Sequence, residues 1–125
     1  MIPLRLALAA ALPFALVAPA AAQPPAALNI YVWSFGFAPK PIQLAAGRPV
    51  TLIFVNRSGS SHDFVARRFF ANARIVSGMV MDGMVDLKGG ETKSVTLVPR
   101  AGTYKVHCSH FMHKPLGMSD EVIVS

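Results

Sequence analysis

Cysteine is the scarcest chemically reactive residue in this 125-residue chain, which contains one, Cys108. A single thiol excludes an internal disulfide framework. Only six Asp and Glu residues are present, and they are scattered, so a hydrolase built on paired carboxylates is disfavoured. The serines lack the G-x-S-x-G pattern of a nucleophile elbow. Internal repeats and heptads are also absent, which excludes solenoids and coiled coils.

Positive charge is more abundant but is dispersed. Twelve Lys and Arg residues against six acidic ones give a formal net charge of +6. Only Arg67 and Arg68 are adjacent among them, and the lack of a basic run disfavours nucleic-acid binding. A basic balance favours docking to an acidic partner protein or to an anionic membrane surface. Ordinary solubilising charge is the alternative interpretation.

The first 22 residues are typical of a secretory signal peptide. Arg5 supplies a short positive region, residues 6–17 form an apolar stretch, and Ala20 to Ala22 match an A-x-A cleavage pattern. The stretch is shorter than the roughly 20 apolar residues of a membrane-spanning helix, although an uncleaved anchor is the alternative. We therefore predict a signal peptide over 1–22, a flexible lead-in over 23–27, one small domain over 28–125, and a periplasmic location.

The predicted domain is all-β. Short runs rich in β-branched and aromatic residues alternate with Gly- and Pro-containing turns, a pattern that indicates an antiparallel sandwich or barrel. The predicted strands or extended segments are 28–34, 41–44, 50–56, 62–66, 91–99, 103–108 and 121–124. Residues 35–39 are expected to form a bend, and 57–61 a Ser/Gly loop.

Residues 67–88 fit this pattern least well. We predict an irregular excursion here, with one helical turn that places Phe69, Phe70 and Ala73 on one side. The same segment contains Met79, Met81 and Met84. Because methionine is commonly a gap-filling core residue in a small domain, we expect these side chains in the core. The alternative is a second, labile site for Cu(I), which thioethers bind.

The segment from Cys108 to Met118, C-S-H-F-M-H-K-P-L-G-M, carries the strongest functional signal. It holds a thiolate, an imidazole at His113 five residues on, and a thioether at Met118 five residues further. Thiolate, imidazole and thioether together suit copper, and a second imidazole could come from His62 if the fold brings it close. A metal would also explain a single thiol in an exported protein, because the metal holds the sulfur as a thiolate. Zinc is a weaker candidate, as is a Cys–His nucleophile.

The sequence resembles the small cupredoxins of the plastocyanin and pseudoazurin type. The resemblance covers essentially the whole chain after the leader. It is carried by the segments F-G-F-A-P-K-P-I-Q-L-A-A-G (35–47), V-T-L-I-F-V-N (50–56), S-S-H-D-F-V (60–65), G-T-Y-K-V-H-C (102–108) and the loop Cys108-x4-His113-x4-Met118. It implies a Greek-key β-sandwich and a type 1 copper site, with His62, Cys108 and His113 as strong ligands and Met118 as the axial one.

Some residues depart from the family pattern. Many members have Asn after the first ligand His, where it ties the two ligand loops together; here the residue is Asp63, whose carboxylate would favour Cu(II). His110 and Met112 are additional potential ligands in the loop. We prefer His113 to His110 as the ligand. Cys108 and His110 are only two residues apart, so a chelate in which both bind one metal would be tight. His107 is expected on the opposite face of its strand from Cys108.

These features predict a monomeric, non-enzymatic electron carrier that cycles one copper between Cu(II) and Cu(I). Its expected partners are periplasmic redox or copper-handling proteins, which would dock at the exposed edge formed by His113. The first alternative is a copper chaperone or resistance protein that passes on Cu(I) through the Met-rich segment. The second is a β-sandwich binding module without metal.

Overall fold

The computed structural model describes residues 1–4, 7–18, 24–110 and 118–125. Its elements, in chain order, are β1 (Ala26–Trp33), β2 (Gly36–Ala38), β3 (Ile42–Leu44), β4 (Val50–Asn56), β5 (His62–Val65), α1 (Arg67–Asn72), β6 (Arg74–Ser77), β7 (Met84–Leu87), β8 (Thr92–Val98), β9 (Gly102–His107) and β10 (Ser119–Val124). Residues 1–4 and 7–18 have no regular secondary structure. Within the described residues, no helix has the length and apolar character needed to span a membrane.

Two five-stranded sheets form a sandwich. The first has the order β2-β1-β4-β8-β6, and the second has the order β3-β10-β9-β5-β7. The predicted all-β sandwich is confirmed. Two neighbouring pairs, β1 with β4 and β3 with β10, are parallel, so the arrangement is mixed rather than purely antiparallel as the strand spacing indicated. Sequence spacing reports where strands lie but not which strands become neighbours.

Alternating side chains from both sheets form the core. In β4, Val50, Leu52 and Phe54 are buried while Thr51 and Ile53 are only partly covered. This period of two is the pattern of a strand with one face on the core. Strands β8, β9 and β10 show the same alternation over their buried part. The core therefore lies between the sheets and supports the strands that contain or adjoin the candidate ligands.

An aromatic cluster fixes β5 within this core. Phe64 lies edge-on to Phe37 at a centroid distance of 5.6 Å and contacts Phe54 at 4.8 Å. On the other side, Phe70 of α1 lies 6.0 Å from Phe64. Such aromatic pairs add about 0.5–1.5 kcal/mol each beyond their buried area. The strand that begins with His62 is thus held from several directions.

The region 67–88 is more regular than its sequence suggested. The predicted helical turn is present as α1, which buries Phe69 and Phe70. The rest of the segment contains β6 and β7 and is not an irregular excursion. The predicted bend at 35–39 is also partly wrong, because β2 lies there and pairs with β1. Both strands β6 and β2 occupy sheet edges, where short pairing leaves a weak sequence pattern.

Candidate metal centre

Strands β5 and β9 bring the candidate ligands to one end of the second sheet. The two strands are antiparallel and pair Val65 with His107. Cys108 follows β9 directly, and its backbone N–H donates to the carbonyl of Met118 at 3.0 Å. Two of the predicted ligands, Cys108 and Met118, are therefore neighbours through the backbone, and both are buried. His107 is half-exposed on the other face of β9, as predicted.

Asn56 organises the loop that leads to His62. Its amide donates to the carbonyls of Ser60 at 2.8 Å and Leu87 at 3.2 Å, and its Oδ1 accepts from the backbone N–H of Ser58 at 3.0 Å. Leu87 is the residue of β7 that pairs with His62. One buried amide thus connects β4, the 57–61 loop and β7. Sequence reasoning missed this role, although an Asn ending an apolar strand before a Ser/Gly loop is a usable signal.

A close approach of two glycines completes this end of the molecule. A Cβ at Gly89 would lie only 2.5 Å from the carbonyl oxygen of Gly59. The N–H of Gly90 donates to the carbonyl of Ser58 at 3.1 Å. The loops before β5 and after β7 can pack this tightly only because glycine occupies position 89. The start of β5 is held in place by both loops.

His62 and Cys108 form a buried donor pair. The exposed fractions of the two side chains are 0% and 1%. The Nδ1 atom of His62 lies 3.8 Å from the Sγ atom of Cys108. An imidazole and a thiol 46 positions apart in sequence therefore meet inside the protein, as the ligand chemistry predicted.

The separation of these two atoms suits one shared metal ion. With bond lengths of about 2.0–2.1 Å to nitrogen and about 2.3 Å to sulfur, as at zinc sites, donors 3.8 Å apart subtend an angle of about 120°. A tetrahedral angle would bring the same donors to about 3.5 Å. The observed 3.8 Å is close to both values, so the two donors can reach one shared ion without a large movement, as His and Cys ligands do at blue copper. The residues present therefore fit a copper ion.

Asp63 links the two ligand segments. One carboxylate oxygen accepts from the backbone N–H of Ser109 at 2.6 Å, and the other accepts from the hydroxyl of Ser109. Asp63 is buried, with 2% of its surface exposed. The residue after His62 is thus tied to the residue after Cys108. The link for which the family resemblance implied an Asn is made here by a carboxylate.

The environment of Cys108 opposes a free thiolate. Burial raises the pKa of the Cys108 thiol, and backbone hydrogen bonds from Asp63 and His110 partly offset this rise. Desolvation disfavours a charged sulfur unless a partner stabilises it. A bound cation supplies such stabilisation, since metal ions bind the deprotonated form of the ligand.

His110 also lies close to this pair. Donor atoms of Asp63, Cys108 and His110 all lie within 4.8 Å of one another. The imidazole of His110 lies edge-on to that of His62, with a centroid distance of 6.2 Å. His110 therefore lies close to the candidate pair, although the sequence spacing favoured His113 as the ligand. His113 and Met112 lie outside the described residues, so the preference for His113 stays a prediction.

A basic groove borders the centre on the second sheet. It has a volume of about 960 Å³ and reaches His107 and Ser119, the chain neighbours of Cys108 and Met118. Four basic and two acidic residues line it: Lys40, Arg67, Arg68, Lys105, Asp120 and Glu121.

Asp120 is the buried member of the groove. Its Oδ1 accepts from the N–H of Glu121 at 2.7 Å, while its Oδ2 has no hydrogen-bond partner in the described part of the chain. Burial raises the pKa of Asp120, and the charge of Lys40 acts against this shift. Positive charge therefore dominates the accessible part of the groove.

Comparison with known proteins identifies the family. Residues 5–124 match the model of the cupredoxin-like domain. The chain belongs to the cupredoxin-like family. No curated protein matches this cupredoxin in sequence.

Solved structures share the cupredoxin fold. Auracyanin B is 23% identical, with a TM-score of 0.59, and the match covers 83% of this chain and 92% of auracyanin B. Auracyanin A, a "blue" copper protein from Chloroflexus aurantiacus, is 22% identical, with a TM-score of 0.57 and coverage of 82% and 100%. A multicopper oxidase from Campylobacter jejuni is 14% identical, with a TM-score of 0.63, and matches 87% of this chain but only 32% of its own. At these identities the likeness establishes the fold of this cupredoxin.

Proposed function

We propose that this protein is a periplasmic one-electron carrier with a single type 1 copper site. The observation that carries the proposal is the buried His62–Cys108 pair, whose donor atoms lie 3.8 Å apart. Membership of the cupredoxin-like family supports it. The blue copper protein among the structural neighbours, auracyanin A, supports it further.

The proposed ligands are His62, Cys108, His113 and Met118, which would hold the copper ion. Bound copper would supply a one-electron Cu(II)/Cu(I) couple. The chain's own contribution is rigidity: Asn56 holds the loop before His62, and Asp63 ties that strand to the residue after Cys108. A site that keeps its geometry in both oxidation states needs little rearrangement for each electron.

Burial of the donors supports a carrier rather than an oxidase. His62 and Cys108 are shielded from solvent, which suits electron transfer through the protein better than direct contact with a substrate. The matched multicopper oxidase from Campylobacter jejuni shares the fold, so the carrier assignment rests on this burial and not on the fold.

The proposed partner is an acidic redox protein. The lining of the basic groove includes His107 and Ser119, each one residue along the chain from Cys108 and Met118. Charge complementarity raises association rates without requiring a large interface. A partner docked there would lie beside the backbone of two proposed ligands. We further propose that residues 1–22 export the chain and that it acts as a monomer.

The second candidate function is copper handling, in which Cu(I) is passed to an acceptor. The observation that favours it is the exposure of Met79 and Met81, at 72% and 63% of their surfaces. The expectation that these methionines lie in the core is wrong for both. The two functions differ in whether copper remains bound during the reaction.

Redox cycling of the one-copper protein tests the proposal. A carrier should complete repeated oxidation and reduction in the presence of a competing chelator without loss of metal. Cys108→Ser should abolish visible absorption, because a hydroxyl cannot replace the thiolate. His113→Ala should disrupt the spectrum and His110→Ala should leave it nearly intact; the reverse result would exchange their roles. Release of copper to the chelator on each reduction would instead favour copper handling.

A further inference from the structure

A tight hairpin brings two methionines face to face outside the proposed copper centre. The N–H of Met81 donates to the carbonyl of Met84 at 3.2 Å, and the N–H of Met84 donates back at 3.0 Å. Between them, Asp82 and Gly83 both have positive φ, at 51° and 69°. Two positive φ values in a two-residue loop define the type I′ hairpin. Paired residues in such a hairpin place their Cβ atoms about 4.5–5.5 Å apart on one face.

A third methionine, Met79, lies two residues before this pair. Val80 packs against the core and Val85 is buried. Met84 precedes Val85 in β7, so strand alternation places its side chain on the face away from the core, and the paired Met81 shares that face. Met79 and Met81 are mostly exposed, and Met84 is half-buried. Two thioethers therefore share one face of the hairpin, and the exposed Met79 lies close to them along the chain.

The hairpin is anchored and does not need to fold around a ligand. The N–H of Ala66 donates to the carbonyl of Gly83 at 3.0 Å. A Cβ at Gly83 would lie 2.7 Å from the Cα of Arg67, so only glycine permits this contact with α1. Beyond the turn, β7 pairs along its length with β5. The backbones of Met81 and Met84 are thus fixed before any ligand arrives, which lowers the entropic cost of binding.

The ligand chemistry selects a soft monovalent metal. Thioethers select Cu(I) over hard cations such as Mg²⁺ and Ca²⁺. The carboxylates of Asp82, in the turn, and Asp86, two residues beyond Met84, add negative charge to this region. Arg67 contributes the opposing charge next to Gly83. We propose that Met79, Met81 and Met84 form a second, surface Cu(I) site.

This surface is separate from the type 1 centre. Met84 pairs with Val65, three residues along β5 from His62. At about 3.4 Å per residue, that places the two ends of the strand about 10 Å apart. The Cu(I) proposal therefore does not depend on the ligand set of the proposed carrier.

Anaerobic titration with Cu(I) and a competing colorimetric chelator tests the site. In a Cys108→Ser background, which lacks the proposed thiolate ligand, we expect a Cu(I) equivalent whose affinity falls at least tenfold when Met79, Met81 and Met84 are all changed to Leu. Met→Leu preserves volume, so folding should survive. Ile75→Leu, an apolar change without a thioether on neighbouring β6, is the matched control and should leave the affinity unchanged.

A second readout uses the wild-type chain. Added Ag(I), a redox-inert analogue of Cu(I), should shift the methyl NMR signals of the three methionines together. Equal Cu(I) affinity with and without the three thioethers, or methyl signals that do not move, would overturn the proposal. A failure of the type 1 proposal would be seen separately, as a Cu(II)-loaded wild type without visible colour.

Discussion

Replacing Asp63 separates its two contributions, the tie between ligand segments and the negative charge. Asp63→Ala removes both acceptors of Ser109 and the charge. Asp63→Asn removes the charge but keeps an oxygen for the N–H of Ser109, and its amide can donate to the serine hydroxyl. The pair of variants therefore distinguishes geometry from electrostatics at one position.

The stability cost follows from the hydrogen bonds. Each bond to a charged acceptor contributes about 1.5–3 kcal/mol. Asp63 accepts two of them from Ser109. Because Ser109 is exposed and water can replace part of what is lost, we expect Asp63→Ala to lower the free energy of unfolding of the metal-free protein by about 2–4 kcal/mol. For Asp63→Asn we expect a loss of about 1 kcal/mol or less.

The negative charge of Asp63 should lower the reduction potential of the bound copper. The carboxylate lies within 4.8 Å of the Cys108 sulfur. At an effective dielectric constant of about 20, a unit charge about 5 Å away contributes about 3 kcal/mol. For a one-electron couple this corresponds to about 130 mV. Since the two hydrogen bonds already disperse part of the charge, we expect Asp63→Asn to raise the potential by on the order of 100 mV.

Denaturant unfolding and spectroelectrochemistry measure the two quantities. A double-mutant cycle with Ser109→Ala isolates the tie, and we expect a coupling energy of at least about 1 kcal/mol. Two results would contradict a stabilising link between Asp63 and Ser109. One is equal stability of Asp63→Ala and Asp63→Asn, and the other is additive effects of the Asp63 and Ser109 substitutions on the free energy of unfolding. An unchanged potential in Asp63→Asn would refute the electrostatic argument.

Three further changes test other residues. Met118→Leu should keep a coloured site and raise the reduction potential, because a weak donor to Cu(II) is removed. Met112→Leu should leave the reduction potential unchanged, and a shift in this variant alone would make Met112 the axial ligand. Asn56→Ala should lower the free energy of unfolding by about 2–3 kcal/mol, because the buried Leu87 carbonyl loses a donor, and urea unfolding at the wild-type midpoint would contradict this. Burial raises the pKa of Asp120, so its stabilising contribution is complete below the unfolded pKa of about 3.9 and is lost as pH rises through the folded pKa. Asp120→Asn should therefore stabilise the metal-free protein at neutral pH and flatten its stability profile above pH about 4, with exposed Asp86→Asn as control; an unaltered profile would count against the buried charge.

The sequence was most informative where one periodicity dominated. Strand β4 lies at its predicted position because V-T-L-I-F-V-N alternates and has turn residues at both ends. Ligand chemistry predicted that His62 and Cys108 share a site, and their donor atoms lie 3.8 Å apart; their role as metal ligands stays a prediction. The long separation of the two residues in sequence did not prevent this prediction, because their side-chain types already indicated one shared metal site.

The sequence was least informative where partners determine the structure. The strands β6 and β7 owe their form to pairing with β8 and β5, which a local pattern does not reveal. The Asp82-Gly83 turn was present as a hairpin signal, yet the three methionines were expected in the core. Their exposure depends on the inward direction of Val80 and Val85, which only the packed structure defines.

The optical spectrum of the purified protein loaded with one equivalent of Cu(II) tests for a type 1 copper site. We expect intense visible absorption from thiolate-to-copper charge transfer, lost in Cys108→Ser. Oxidised protein that holds one copper and stays colourless in the visible would contradict it.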